Sequence, residues 1–96
     1  MLYGHQLFRL GEKPLQIGLD LSPGETGLAV PAATKGVSRR HCTLQIEDGQ
    51  ALVHDHSRYG TTLNGHRVDG AAVLQPGDVL RFGTPPQQLI LVREVE

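Results

Sequence analysis

The chain has 96 residues, which favours one domain with a single modest core. Nine basic against ten acidic residues leave a net charge of -1. There is no global basic field to hold nucleic acid or an anionic membrane, so any anion recognition must be local.

Met1 to Leu10 alternates loosely between apolar and polar residues and predicts a first strand. Leu15 to Gly18 predicts a second, and Ser22-Pro23-Gly24 marks the loop after it. Leu28 to Val30 reads as a brief strand, and the stretch PAATKG, residues 31–36, as a second loop. From Cys42 the pattern is clearest. Cys42, Leu44 and Ile46 alternate with Thr43, Gln45 and Glu47, a half-buried strand. Asp48-Gly49 then turns the chain and Leu52-Val53 resumes the apolar pattern, which predicts a hairpin. Short strands are expected around Thr62-Leu63 and Arg67-Val68, with the tight turn Asn64-Gly65 between them. Pro76-Gly77-Asp78 is a further turn before a strand from Val79 to Phe82, and Leu89 to Val95 is the last strand. No segment holds helical period, so the expected fold is an all-β, two-sheet sandwich of short strands. Its predicted core is Leu15, Ile17, Leu44, Ile46, Leu52, Val53, Leu63, Val68, Leu74, Val79, Leu80, Phe82 and the run 89–92.

Cys42 is the one cysteine, which excludes an internal disulfide framework and suits a reducing, cytoplasmic setting. The first residues show no signal-peptide pattern, and no apolar run approaches membrane-spanning length. A sandwich gathers its loops at its ends, so the arginine-bearing loops at 38–41 and 57–61 could meet. Ser38, Arg39 and Arg40 offer a hydroxyl and two guanidiniums, groups suited to an oxyanion.

Four segments in order carry a family resemblance: "VSRRH", a hairpin, "HDHSRYGTTLNG" and "LQPGDVLRFG". Together they resemble the forkhead-associated (FHA) domain, from about Leu15 to the last strand. The resemblance implies a β-sandwich of about eleven short, mostly antiparallel strands. It further implies that residues 1–96 form one domain, of a kind that usually sits inside a larger protein. Such domains bind phosphothreonine peptides through loops at one end. By position, Ser38 matches the serine whose hydroxyl donates to the phosphate, and Arg39 a residue that often reaches it. Gly18, His41, Asp55, Ser57, Gly60, Thr61, Asn64 and Gly65 match loop-organising positions.

Two positions depart from the family pattern. Its Gly-Arg reads Gly18-Leu19 here, and no arginine lies between Leu10 and Val37 to replace the lost one. Its Ser-x-Asn-Gly reads Ser57-Arg58-Tyr59-Gly60. Losing one charge-assisted contact to phosphate costs about 1.5–3 kcal/mol, and a tyrosine hydroxyl cannot reproduce the paired donor and acceptor of an amide. Arg58, beside the pocket, offers compensation. The expected phosphopeptide-binding set is therefore Ser38, Arg39, Arg58 and Tyr59, with recognition weakened or altered. The alternative is a degenerate scaffold that binds a protein partner, or itself, independently of phosphorylation.

No catalytic set is evident. His41 shares a short segment with Ser38, but no oriented acid completes a triad. His54 and His56 alternate along a strand and could face one metal, yet a third ligand is lacking, so no metal is expected. The glycine turns precede no helix and form no nucleotide loop. The expectation is a binding module with a protein partner and no cofactor.

Overall fold

The structure, a computed structural model, describes residues 2–3, 6–7, 13–20, 27–31 and 34–91. The turn expected at Ser22-Pro23-Gly24 and the final residues of the expected last strand lie outside them. Eleven strands are present among the described residues: β1 (Leu2–Tyr3), β2 (Gln6–Leu7), β3 (Leu15–Gly18), β4 (Gly27–Ala29), β5 (Cys42–Glu47), β6 (Gln50–Asp55), β7 (Thr62–Leu63), β8 (His66–Arg67), β9 (Ala71–Leu74), β10 (Val79–Phe82) and β11 (Gln87–Ile90). They form two sheets, ordered β2-β1-β11-β10-β7-β8 and β4-β3-β5-β6-β9. All described pairs are antiparallel except β3 with β4. No helix among the described residues is long and apolar enough to cross a membrane.

The hairpin β5–β6 forms as the sequence predicts. Asp48 and Gly49 both adopt positive φ, 50° and 77°, the pairing a two-residue turn needs to match strand twist. Register then sets the core. Leu15 faces Leu44, Leu44 faces Val53 and Val53 faces Ala72, one row across the inner side of the five-stranded sheet. Leu63, Leu80 and Leu89 make the matching row on the other sheet.

Besides Leu63, four expected core residues are only half-buried: Ile46, Leu52, Val79 and Ile90. Leu52 pairs with Gln45 and Val73 on the outer side of its sheet, because the side chains of a strand alternate. Val79 and Ile90 face each other on the outer side of the six-stranded sheet, and Ile46 sits one residue from the hairpin's open end. Leu63 is also half-buried, packed against the core from β7, and Val92 lies outside the described residues. Val30 and Val37, from connecting segments, are buried in their place. Strand β9 was not expected: its two alanines carry no clear alternation. Observed β8 begins one residue earlier than predicted, and Val68 donates its N–H to the Thr61 carbonyl just beyond the ladder.

Candidate functional site

The segment from Lys35 to His41 leaves the edge of the sandwich and returns to β5. It is tied down at both ends. Lys35 and Thr84 exchange both backbone hydrogen bonds, at 2.9 and 2.7 Å, and Val37 is buried. Further along, three backbone bonds zip it against the end of β3: Leu19 N–H to Ser38 C=O (3.2 Å), Asp20 N–H to Arg39 C=O (3.1 Å) and His41 N–H to Ile17 C=O (2.7 Å). Gly18 makes this approach possible. A Cβ added there would lie 2.0 Å from the Arg39 carbonyl oxygen, far inside contact distance. Leu19 is thereby held beside Ser38, with its side chain packed against the core.

His41 joins this segment to the next. Its ring is fully buried and stacks on Phe82, with centroids 4.7 Å apart. Nδ1 accepts from the Ser38 N–H at 3.1 Å, and Nε2 lies 3.0 Å from the Gly60 carbonyl oxygen. A backbone N–H can only donate and a carbonyl only accept, so the ring is neutral with its proton on Nε2. Burial pushes the His41 pKa below its ordinary value, outweighing the Gly60 carbonyl and the Asp55 charge, which act in the opposite sense. Both ring nitrogens are committed to holding loops, which leaves neither for general-base work.

The loop from Asp55 to Thr61 is organised by its own side chains. Asp55 Oδ1 accepts from the Ser57 N–H (3.1 Å), the Ser57 hydroxyl (2.6 Å) and the Thr61 hydroxyl (3.0 Å). Ser57 Oγ in turn accepts from the Gly60 N–H at 2.8 Å. Gly60 has φ of 99°, a conformation disfavoured for residues with a Cβ. The ring of short-range contacts leaves Arg58 and Tyr59 at the loop's exposed tip, Tyr59 with 61% of its surface accessible.

The two loops touch where Ser38 Oγ accepts from the Arg58 N–H at 3.0 Å. That bond uses one lone pair of the hydroxyl. Its proton is still available to an external acceptor. Arg39 and Arg58 are exposed, and neither guanidinium has a hydrogen-bond or ion-pair partner among the described residues. Arg40, by contrast, has an interaction of its own within the chain. Ser38, Arg39, Arg58 and Tyr59 thus lie together, with Gly18, His41, Asp55, Ser57, Gly60 and Thr61 behind them.

Asn64 and Gly65 organise a different place, the far end of β7 and β10. Asn64 Oδ1 accepts from the Val79 N–H (2.9 Å), and its Nδ2 donates to Asp78 (3.0 Å). Asp78 also accepts from the Gln75 N–H at 2.8 Å. The Asn64 and Gln75 hydrogen bonds hold its pKa below the usual carboxylate range.

The histidines of β6 and its exit are engaged singly. His54 meets Glu47 at 3.2 Å, and His56 Nε2 meets the Thr43 hydroxyl at 2.9 Å. Cys42 is buried under the site, and burial, then the Asp55 charge, push its thiol up to about 12. It is a packing residue rather than a nucleophile.

Arg67 is absent from the sequence-derived set, which reads it only as a strand residue. On β8 it pairs with Thr62, which returns it to the Asp55–Thr61 loop. The signal that could have found it is the Asn64-Gly65 turn, which folds residue 67 back beside residue 62.

The FHA domain family model matches residues 17–83. The chain belongs to the FHA domain family. No curated protein matches its sequence. Among solved structures, this FHA domain is similar to the FhaA FHA domain crystallised with the intracellular domain of Rv3910. The two are 30% identical with a TM-score of 0.71, over 91% of this chain and 89% of that one. It is also similar to the N-terminal FHA domain of Rad53p from S. cerevisiae, solved with a phosphothreonine peptide. There the identity is 26% and the TM-score 0.64, over 84% of this chain and 68% of that one. The FHA domain of CT664 from Chlamydia trachomatis, 22% identical with a TM-score of 0.69, covers 88% of this chain and 80% of its own, and shares the fold.

Proposed function

We propose that this FHA domain is a protein-interaction module that recognises a phosphothreonine-bearing partner through the loops carrying Ser38, Arg39, Arg58 and Tyr59. The observation that carries the reading is the Ser38–Arg58 hydrogen bond, which joins two loops that each bring an arginine whose guanidinium has no partner among the described residues. A phosphate dianion is strongly hydrated, and a site must replace that hydration with donors and charge. Here the Ser38 hydroxyl supplies one donor, and the guanidiniums of Arg39 and Arg58 supply charge. The Rad53p domain, solved with a phosphothreonine peptide, lends support by likeness. Leu19 brings an apolar side chain where the family has an arginine, so the affinity is reduced relative to a site with the full set. The partner is a protein, the setting is cytoplasmic, and neither catalysis nor a cofactor enters.

The exposure of Tyr59 favours a second reading, contact with an unphosphorylated partner, since tyrosine and arginine are enriched at interface centres. Titration with matched phosphothreonine and unphosphorylated peptides, followed by amide chemical shifts, separates the two. The first reading expects phosphate-dependent shifts at residues 38, 39 and 58–60, lost in Ser38→Ala and Arg58→Ala. Shifts that do not depend on phosphate would transfer support to the second.

A further inference from the structure

His41 stands between the two loops of the site and bonds to both, to Ser38 through Nδ1 and to Gly60 through Nε2. The loops meet again where Ser38 Oγ accepts from the Arg58 N–H. The alignment of Ser38 with Arg58 therefore rests on Nδ1 being bare, so that it can accept. A second ring proton has only Nδ1 to occupy. It sets a donor 3.1 Å from the Ser38 N–H, another donor, and the bond between them is lost. The His41 backbone stays fixed, its N–H donating to the Ile17 carbonyl at 2.7 Å and its carbonyl accepting from the His56 N–H at 2.9 Å. The Ser38 side is the one that yields, since the backbone bonds that hold Ser38 and Arg39 are longer, 3.2 and 3.1 Å.

The groups around the ring set the direction. Burial disfavours the imidazolium and outweighs the Gly60 carbonyl and the charge of Asp55, at the end of β6, which favour it. From β5, the Cys42 thiol is pushed up to about 12 and stays uncharged. From β10, Phe82 stacks on the ring without charge. The neighbouring His56 ring is turned to Thr43, and Asp20, beyond β3, is exposed beside Arg39. The loops bring Arg39, Arg40 and Arg58, with Arg67 against Gly60, and this positive charge opposes a further cation. We propose that His41 is a proton-operated latch on the candidate site: the loops are aligned for an anion only while Nδ1 is bare, and one proton frees Ser38 and weakens phosphopeptide binding. For its ligand the inference rests on the phosphothreonine reading above. Peptide and proton then compete. Because coupling is reciprocal, a peptide that selects the latched form lowers the pKa of His41. Plain electrostatics has the opposite sign, since a phosphate dianion beside an imidazolium raises it.

The test follows ring and amide NMR signals of the labelled protein from about pH 8 down to about pH 4.5, free and saturated with a phosphothreonine peptide. In the free protein the Ser38 and Arg58 amides should move with the midpoint of the His41 ring, while the amides of the core residues Leu44 and Val53 keep their native shifts. Saturating peptide should lower that midpoint. Below it, the peptide should lose about tenfold in affinity per pH unit, beyond the loss from protonation of its own phosphate, which titrates near about pH 6 and is read from its phosphorus signal. His41→Gln, whose amide oxygen can accept from Ser38 and does not titrate, should bind phosphopeptide without this extra loss. A His41 midpoint that peptide raises or leaves unmoved overturns the proposal, and this arm needs no variant. Titration of the Ser38 and Arg58 amides away from the His41 midpoint overturns it too. Loss of the Leu44 and Val53 amides before or together with them does the same, because the proton then unfolds the domain instead of opening the site. A phosphothreonine peptide that binds no better than its unphosphorylated match overturns the underlying reading instead, and the amide titration of the free protein still decides the latch.

Discussion

The two walls of the candidate site are built by different means. The Asp55–Thr61 wall is wired by side chains: one carboxylate oxygen takes three donors, and a serine hydroxyl takes a fourth. The Gly18–Asp20 wall is held by backbone bonds to residues 38–41 and by the absence of a side chain at Gly18. The first kind of wall ties its shape to particular side chains. In the second, the hydrogen bonds that hold the frame do not use the side chain at position 19. That is where the sequence pattern of the family leads one to expect an arginine and this chain has Leu19. A backbone-held wall keeps its hydrogen bonds whichever side chain stands at position 19.

The comparison can be broken most directly at Gly18. Gly18→Ala sets a methyl group against the Arg39 carbonyl, and the zipped segments must part. The expected loss is about 3 kcal/mol or more, read from the urea midpoint. Asp55→Ala strips the other wall of its acceptor and leaves the Ser57 and Thr61 donors unsatisfied. It should cost about 2–3 kcal/mol and broaden or shift the amides of 57–61 in NMR spectra.

His41 spans both walls, so it tests their coupling. Its native pKa lies below the ordinary 6.5 because of burial. The unfolded chain therefore takes up a proton, as pH falls through about 6.5, that the native state resists. The contribution of His41 is complete above that value and is lost as pH drops toward the lowered native pKa, at no more than about 1.4 kcal/mol per pH unit. Urea melts at pH 7.5 and 5.5 should show a difference that shrinks in His41→Gln. Tyr59→Ala touches neither wall's frame. It should change stability by less than about 0.5 kcal/mol while altering peptide affinity, measured by the same melts and a titration.

What the sequence made legible follows the same division. The side-chain-wired loop is local: Asp55, Ser57, Gly60 and Thr61 lie within seven positions, so their spacing carries the pattern. The hairpin at Asp48-Gly49 is equally local, and the alternation of β5 and β10 gave the inner rows. The rest depends on what is distant in sequence. Val37 is buried through the pairing of Lys35 with Thr84, which no local pattern announces. Strand β9 takes its place from β6, since its own alanines signal nothing. Asn64 and Gly65 fit the family motif, yet brace Val79 and Asp78 away from the site. Arg67 reaches the loop only because a turn folds β8 back onto β7.

The central claim is that the loop frame is intact and that Leu19 limits phosphate recognition. The measurement that tests it most directly is the phosphothreonine-peptide affinity of Leu19→Arg against wild type, with the unphosphorylated peptide as reference. One charge-assisted contact is worth about 1.5–3 kcal/mol, so the phosphate-dependent affinity should rise tenfold or more. An affinity unchanged in a folded Leu19→Arg protein would contradict the account.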